Sequence, residues 1–448
     1  MGSAKLISML GGIRIPKNWC GALAVLPLVL FWNSCESTDP TDWRSPEGSR
    51  FAKTSVEELY ERAQRNDYFA MVHLGWRYDT GTGVKTDARE AAAWYRQAAE
   101  HGGHSMAQNN LGCLYRDGRG VIQDYKTAST LFRMAAEQGN NHARTNLGWL
   151  YERGYGVTQD YRQALQLYTE AAQEYRDFET GRQHAGHPMA QNNLGCLYRD
   201  GKGTKADAFT AVKWFRKSAE AGNHHAHHNL GIMFERGLGV KPDIRKALEH
   251  YEQALNAGNV YSMNAVAWLF EQGKSVPRNP KLAVRYYTQA AERGYSMAMY
   301  NLACLYLDGR GVEQDSISAM EWMLRAAERG NAYAQVKLAW MLEKGVGIRK
   351  DYDEAAKWYL AGSRQGLALG QINLALLLAS GAVGEKDLVG AYKWMKLAAQ
   401  TGNQGAEKFL PTIREKMSPE ELAEAELLIT RFVAQPYTEE IPPGTPQG

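Results

Sequence analysis

One short stretch of sequence recurs at regular spacing along the chain. It reads Ala107-Gln108-Asn109-Asn110-Leu111-Gly112-Cys113-Leu114-Tyr115-Arg116-Asp117-Gly118. With Ala107 as position 0, equivalent positions are Ala70, Ala143, Ala190, Ala226, Ser262, Ala298, Ala334 and Gly370. Six of the eight spacings are 36 residues, and the others are 37 and 47. A fixed period of this length indicates stacked structural repeats, so nine units over residues 70–405 predict one solenoid.

Two positions divide each unit into two helices, which we call helix A and helix B. Every unit has glycine at position +11, where a helix that stops needs a positive φ angle. Every unit has Asp or Asn at position +17, a residue type that caps the first turn of a helix. Those positions are Gly81, Gly118, Gly154, Gly201, Gly237, Gly273, Gly309, Gly345 and Gly381, and Asp87, Asp124, Asp160, Asp207, Asp243, Asn279, Asp315, Asp351 and Asp387.

Helix A has apolar residues at 0, +4, +7 and +8, which lie on one face at helical spacing. Helix B has aromatic residues followed by small pairs such as Ala98-Ala99, where neighbouring helices must approach closely. The sequence therefore predicts an all-α fold, a right-handed α/α superhelical solenoid of about nine helical hairpins with terminal capping helices.

The composition is that of an ordinary globular protein. Of 448 residues, 44% are hydrophobic and 23% are charged, which excludes wholesale disorder and a polytopic membrane protein. Lys+Arg 52 against Asp+Glu 49 gives a net charge of +3, with both signs scattered along the chain, so no basic stripe indicates nucleic-acid binding. Five cysteines are too few for a disulfide scaffold.

The N-terminal sequence predicts export. Lys5, Arg14 and Lys17 precede an apolar stretch over residues 21–32, which is too short to span a membrane and fits a secretory signal. The order Leu30-Phe31-Trp32-Asn33-Ser34-Cys35 also resembles a bacterial lipoprotein cleavage site, in which Cys35 is lipidated. An uncleaved signal anchor and a start at Met9 are the alternatives. Residues 1–35 are thus assigned as a signal, and residues 36–54 as a polar linker.

The sequences that flank the repeats predict terminal caps. Residues 55–69 resemble a lone helix B that caps the first unit, and residues 406–433 provide C-terminal capping helices. Ser418, Pro419 and Glu421 form the pattern of a capping box with proline in the first turn. Residues 434–448 contain four prolines and are predicted to be a disordered tail.

The 47-residue spacing indicates an insertion at about residues 175–189. Eight units have glycine at +32, where helix B stops, but the third has Tyr175. We expect this helix B to continue toward Thr180 and break at Gly181, followed by a protruding loop over residues 183–188. An ordinary surface insertion and a partner-contact loop are both open.

The whole pattern resembles the Sel-one-like repeat, a relative of the tetratricopeptide repeat. The second unit has Ala107, Leu111, Gly112, Tyr115, Gly118, Gly120, Val121, Asp124, Ala128, Phe132, Ala135, Ala136 and Gly139 at the positions of the family pattern. The resemblance implies an adaptor or scaffold that binds other proteins. In bacterial envelopes, family members serve secretion assemblies, exopolysaccharide export, signalling or host interaction. A minority with paired cysteines in each repeat is associated with enzyme activity.

The candidate site lies on a second face of helix A. Position +6 is never charged and has tryptophan at Trp76, Trp149, Trp268 and Trp340. Position +3 is asparagine in six units, at Asn110, Asn146, Asn193, Asn229, Asn301 and Asn373. An asparagine amide can pair with both groups of a peptide backbone, and tryptophans are common anchors, so these residues could form a partner-binding groove on a concave surface. The alternative is structural, with position +6 in the core and the asparagines bonded to a neighbouring turn.

The sequence has no enzyme motif among H-E-x-x-H, G-x-S-x-G, S-x-x-K and C-x-x-C. Cys113, Cys196 and Cys304 share position +6 in repeats too far apart for bridges to one another, and we interpret them as small apolar fillers. His224 and His228 lie one helical turn apart, a metal-ligand spacing, but with no nearby cysteine or carboxylate a polar junction between repeats is favoured.

These features favour a non-catalytic scaffold of the bacterial cell envelope, with no cofactor and no metal. Its partners would be one or more proteins or peptides and not nucleic acid, with membrane attachment through an N-terminal lipid or anchor. Two alternatives stay open. One is a cell-wall or β-lactam hydrolase related to the cysteine-rich subgroup, and the other is a polysaccharide-export assembly factor. The expected location is periplasmic or outer-membrane, or anchored in the inner membrane.

Overall fold

The computed structural model describes residues 54–173, 175–176, 183–184, 186–273 and 276–435. Within these ranges the chain forms 21 helices and one short antiparallel ladder. The helices A are α2 (Tyr68–Thr80), α4 (Ser105–Asp117), α6 (Asn141–Arg153), α8 (Pro188–Asp200), α10 (His224–Arg236), α12 (Val260–Gln272), α14 (Ser296–Asp308), α16 (Ala332–Lys344) and α18 (Ala368–Ser380). The helices B are α3 (Ala88–Gly102), α5 (Tyr125–Glu137), α7 (Tyr161–Ala172), α9 (Ala208–Glu220), α11 (Ile244–Asn256), α13 (Pro280–Glu292), α15 (Ser316–Glu328), α17 (Tyr352–Arg364) and α19 (Leu388–Gln400). The helices outside the repeats are α1 (Val56–Gln64), α20 (Gln404–Arg414) and α21 (Pro419–Thr430).

The described residues divide into two compact units, an N-terminal unit over residues 54–254 and a C-terminal unit over residues 255–435. In each unit, helix A packs against helix B of its own repeat, and helix B packs against helix A of the next repeat. In the N-terminal unit α1 packs on α2, and in the C-terminal unit α20 and α21 both pack on α19. The fold is therefore the all-helical α/α solenoid that the period predicts.

The predicted helix ends are confirmed. All nine glycines at +11 have positive φ angles between 64° and 78°. All nine Asp or Asn side chains at +17 accept hydrogen bonds from backbone N–H groups in the first turn of helix B; in α9, for example, Asp207 accepts from Phe209 and Thr210. The first repeat is one residue longer, and there Gly103, rather than Gly102, has the positive φ angle.

Glycine at +5 makes room for an aromatic ring inside each of the first five repeats. A Cβ atom placed at Gly112 would lie 2.7 Å from the ring of Phe132, which is fully buried on α5. Gly148 stands in the same relation to Tyr168 on α7. The leucine–glycine pair of the repeat pattern is thus explained by the close packing of helix A on a ring of its own helix B.

In six repeats, the type of the buried aromatic residue at +25 on helix B correlates with the type of charged residue at +9 on helix A of the same repeat. Where +25 is tyrosine in the third, fifth, sixth and eighth repeats, its hydroxyl donates to a glutamate at +9. Phenylalanine at +25 occurs instead with arginine at +9, as in Phe132 with Arg116 and Phe215 with Arg199. In these six repeats, a tyrosine at +25 therefore occurs with a glutamate acceptor at +9, and a phenylalanine occurs with an arginine.

The expected extension of helix B into the insertion is wrong. Helix α7 ends at Ala172, and β1 (Tyr175–Arg176) pairs with β2 (Gln183–His184) in an antiparallel ladder. The chain returns so that the N–H of His187 donates to the carbonyl of Ala171 at 2.8 Å, and Gln191 Nε2 donates to the carbonyl of Ala172 at 3.2 Å. These bonds satisfy the end of α7, and a longer helix would displace them.

At the C-terminal end the predicted capping box is confirmed. The hydroxyl of Ser418 accepts from the N–H of Glu421, and the Glu421 carboxylate accepts from the N–H of Ser418 at 2.8 Å. The predictions for the signal, for lipidation at Cys35, for most of the linker and for all but the first two residues of the tail lie outside the described residues. Among the helices described here, none combines the length and the hydrophobicity that a membrane span requires.

Candidate functional site

The residues at position +6 of helix A fall into two groups by exposure. Trp149 is 5% exposed, and Cys113, Cys196, Ile232 and Cys304 are buried as well. Four members are only partly buried, namely Trp76, Trp268, Trp340 and Leu376. Position +6 is therefore part of the core in five repeats and part of the accessible surface in four. Cys196 and Cys304 are free, and burial raises the pKa of the Cys196 thiol to about 11, as expected for an apolar filler. Cys113 is disulfide-bonded, so the filler interpretation is wrong for that cysteine.

Three of the six asparagines at +3 hydrogen-bond to the preceding repeat. Asn146 Nδ2 donates to Asn109 Oδ1 at 3.0 Å, and Asn229 Nδ2 donates to Asn192 Oδ1 at 2.9 Å. In the C-terminal unit, the amide of Asn301 makes the same bond to that of Asn264 at 3.0 Å. These side chains tie adjacent helices A together.

The other three asparagines contact tyrosines of the preceding repeat. Asn110, Asn193 and Asn373 interact with the hydroxyls of Tyr95, Tyr168 and Tyr359 respectively. All six amides at +3 thus lie in contacts between repeats, which agrees with a structural role, but their partners are side chains of the preceding repeat and not a neighbouring turn. Their role in ligand binding stays a prediction.

Sequence reasoning missed the residues that complete these contacts. The acceptors Asn109, Asn192 and Asn264 occupy position +2, and the Asn-Asn doublets of the second and fourth repeats are the signal that could have identified them. Two arginines at +9 were also missed. Arg199 Nη1 donates to Asn229 Oδ1 at 3.0 Å, and the almost fully buried Arg116 forms an ion pair with Asp117.

The eighth repeat has a different side chain at +3. Lys337 is only 6% exposed, and its Nζ lies 4.2 Å from the ring centroid of Trp340 at +6. An ammonium over an indole face is a favourable cation–π arrangement. This pair places a positive charge next to a partly exposed aromatic ring on helix A.

The histidine cluster of α10 is packed into the protein. His228 is fully buried, and burial together with the charge of Arg199 lowers its pKa to about 3. His227 Nδ1 lies 3.2 Å from Nδ1 of His250 on α11. This pair of histidines is different from the His224 and His228 pair that the sequence spacing suggests. Within the described ranges, no group of three or more His, Cys, Asp or Glu side chains could hold a metal ion.

Comparison with known proteins agrees with this architecture. The Sel1 repeat family model matches residues 69–103, 105–140, 141–174, 188–223, 224–259, 260–295, 296–331, 332–367 and 368–403. The chain therefore belongs to the Sel1 repeat family. Proteins of this family are generally non-catalytic scaffolds for protein–protein interactions. A search of curated proteins finds no match.

Several solved structures are similar to this chain. A protective antigen of uropathogenic Escherichia coli with an SLR fold, c5321, is 27% identical, with 88% of this chain and 96% of that chain covered and a TM-score of 0.42. A Sel1 repeat protein from Oxalobacter formigenes is 30% identical, with 57% and 96% covered and a TM-score of 0.48. A putative Sel1 repeat protein from Klebsiella pneumoniae is 22% identical, with 47% and 96% covered and a TM-score of 0.33.

Proposed function

We propose that this chain is a scaffold that binds a protein partner through the accessible part of helix A. The observation that carries the proposal is the partial exposure of Trp76, Trp268 and Trp340 at a position that other repeats fill with buried cysteine or isoleucine. Tryptophans that keep part of their surface in solvent are the residues that most often anchor protein interfaces. Asn301 and Asn373, which are also partly exposed, would add hydrogen bonds to the bound segment.

The Lys337–Trp340 pair adds a preference to this surface. The Lys337 side chain is largely covered, so its charge would act on a partner through the partly exposed Trp340 ring, and the eighth repeat favours an acidic residue beside an apolar one. Trp149 and the asparagines at Asn110, Asn146, Asn193 and Asn229 are buried and would support this surface from within.

We further propose that the scaffold works in the bacterial cell envelope. The support is the N-terminal sequence alone, in which basic residues lead into a 12-residue apolar stretch over 21–32 that ends near Cys35. Lipidation at Cys35 would fix the protein to a membrane and leave the repeats in the aqueous compartment. Mass spectrometry of the protein purified from its native membranes tests this, since an unmodified N-terminus would contradict lipid attachment.

The surface is tested by crosslinking the tagged protein in its native cells and quantifying the proteins recovered with it. The variant Trp76→Leu/Trp268→Leu/Trp340→Leu keeps an apolar side chain of the kind that Leu376 provides at the same position in the ninth repeat. We expect at least one partner to be recovered about tenfold less with this variant, because interface tryptophans commonly contribute that much binding.

The matched control replaces three partly buried tryptophans of helix B, in Trp214→Leu/Trp322→Leu/Trp358→Leu. It removes the same number of indoles at position +24, where the second and third repeats have leucine. Equal loss in both variants, at matched circular dichroism spectra, would indicate general destabilisation. Equal recovery with the wild type and the helix-A variant would remove this surface from consideration.

A further inference from the structure

A cavity in the C-terminal unit contains none of the three tryptophans, Trp76, Trp268 and Trp340, that define the proposed helix-A surface. Its volume is about 880 Å³, within the range of small-ligand pockets. Helices α17, α18, α19 and α21 provide its walls, and residues 432–435 close one side. The N–H of Gln435 donates to the carbonyl of Arg364 at 2.8 Å, which holds this closing segment against α17.

Three cationic side chains from three different elements line this cavity. They are Arg364 at the end of α17, Lys393 on α19 and Arg431 just after α21. Neither guanidinium has a side-chain hydrogen bond or an ion pair among the described residues. Burial and the charge of Arg364 lower the pKa of Lys393, so the two cations are close enough to disfavour one another.

Two acidic residues also line the cavity and offset its positive charge in part, and the charge of Asp387 acts to raise the pKa of Lys393. The Asp387 carboxylate already caps α19, where it accepts from the N–H of Gly390 at 2.7 Å. Glu424 is exposed on α21. Positive charges outnumber negative ones by three to two, and a ligand carboxylate would relieve the repulsion between Lys393 and Arg364.

The floor beside these cations is apolar and aromatic. Trp394 and Phe432 meet edge to face at 5.3 Å between ring centroids, and Lys393 Nζ lies 4.6 Å and 5.8 Å from these two centroids. Leu360 and Leu428 extend the apolar lining. A ligand with carboxylates on one side and hydrophobic groups on the other would match both parts of the wall.

We propose that this cavity is a second binding site, which takes a segment of a partner protein that alternates acidic and hydrophobic residues. The site goes beyond the helix-A surface, because it is built by the last two repeats and by the C-terminal cap. It gives the scaffold a charge-selective contact at one end of the repeat array.

The test uses the full chain and a fluorescein-labelled ten-residue peptide of alternating glutamate and leucine, measured by fluorescence polarisation. The variant Arg364→Gln/Lys393→Gln/Arg431→Gln removes all three cations. We expect it to bind the peptide at least about tenfold more weakly than the wild type, because charge-assisted hydrogen bonds are lost. The same peptide with glutamine in place of glutamate should lose affinity for the wild type.

The matched control is Lys241→Gln/Lys350→Gln/Lys408→Gln, which removes the same charge from exposed positions elsewhere. It should bind the acidic peptide within about twofold of the wild type. Equal weakening by both triple variants would show unspecific attraction to the net charge and overturn the proposal. Comparable circular dichroism spectra establish that all variants are folded.

A location readout separates this site from the helix-A surface. Carbodiimide coupling of the peptide carboxylates to amines, followed by mass spectrometry, should label Lys393 before Lys241, Lys350 or Lys408, and labelling of those lysines instead would overturn the proposal. The Trp76/Trp268/Trp340 variant should keep full peptide affinity. If the wild type binds the peptide only after residues 436–448 are deleted, the chain's own Glu439 and Glu440 segment is the occupant and not a partner.

Discussion

Buried tyrosines at +25 in four repeats donate to glutamates at +9 of the same repeat. In the sixth repeat, Tyr287 Oη donates to Glu271 Oε2 at 2.9 Å, and Arg310 of the next repeat forms an ion pair with the same carboxylate. Burial and the charge of Glu271 raise the pKa of Tyr287, so its hydroxyl stays a donor at neutral pH. The glutamate is thus paired within its repeat and between repeats.

Replacing Tyr287 with phenylalanine should therefore destabilise the C-terminal unit. Tyr287→Phe keeps the ring but leaves the buried Glu271 carboxylate short of one hydrogen bond, a loss of about 1.5–3 kcal/mol. The measurement is the urea midpoint followed by circular dichroism. Tyr286→Phe is the control, because the Tyr286 hydroxyl makes no hydrogen bond among the described residues; equal shifts for both variants would show that this bond does not contribute.

For single residues, the sequence shows which residue types recur at each repeat position, but it does not show how exposed each side chain is or what it contacts. Asparagine at +3 and tryptophan at +6 recur in the sequence, but the exposure of the tryptophans differs from repeat to repeat. Trp149 is buried while Trp76, at the same position, is partly exposed. The bond between Asn146 and Asn109 spans 37 residues, and a pattern within one unit does not show which residues meet across two units.

In most repeats, the turn between helix A and helix B contains two glycines, at +11 and +13. The second glycine, at +13, packs against the first residue of helix B in the preceding repeat. A Cβ atom at Gly203 would overlap the backbone carbonyl of Tyr161, and Gly120 stands in the same relation to Ala88. In later repeats with this second glycine, the inter-helix turn is therefore packed closely against the backbone of the preceding repeat.

Because of this contact, alanine substitution should destabilise the protein by different amounts at two glycines of the fourth repeat. Gly203 and Gly222 have positive φ angles of 71° and 85°, so alanine is strained at both. A Cβ atom at Gly222 meets nothing within 4 Å, whereas at Gly203 it meets backbone. Gly203→Ala should be less stable than Gly222→Ala by about 1–3 kcal/mol, the usual cost of overpacking.

Urea denaturation of the two glycine variants provides the comparison. Because both substitutions carry the φ penalty, the difference between their midpoints isolates the backbone overlap. Equal midpoints would mean that the turn can move away from α7 without loss, and that the second glycine serves only its own φ angle.

Helix boundaries follow from the sequence because caps are local. Asp207 and Gly201 act through residues within one or two turns, and every such position is confirmed. The end of α7 could not be inferred in this way. Its last carbonyls are satisfied by His187 and Gln191, which return from the far side of the insertion, so the stop is set by a contact that no local rule describes.

Across the whole molecule, all 11 histidines belong to the N-terminal unit, and the sequence from residue 255 onward has none. Burial holds the pKa of His104 and of His250 at about 4 and that of His228 at about 3. Burial also lowers the pKa of His187 and His225. In the folded protein these side chains are neutral in mildly acidic solution.

The N-terminal unit should therefore lose stability as the pH falls below about 6.5. The unfolded chain takes up protons near the ordinary histidine pKa, and the folded chain resists them until about pH 4, so acid favours unfolding across this interval. The raised pKa of Glu152 acts in the opposite direction but is a single group.

Hydrogen exchange with mass spectrometry at pH 7.5 and 5.5 measures both units in one experiment. Protection factors corrected for intrinsic exchange rates should fall in residues 54–254 and stay level in residues 255–435. His228→Gln should reduce the pH dependence of the N-terminal unit. A parallel fall in both units would show that carboxylates, and not histidines, control acid stability.

The short ladder in the insertion has a practical consequence. Arg176 and Gln183 are paired residues on antiparallel strands, so the two ends of the intervening six residues lie side by side, while α7 and α8 remain in contact beneath them. A domain whose own termini are adjacent, such as a fluorescent reporter or an affinity module, could be spliced between these positions without prising the two hairpins apart. The third repeat thus offers a graft point at which the chain could be labelled for imaging while its stacking is preserved.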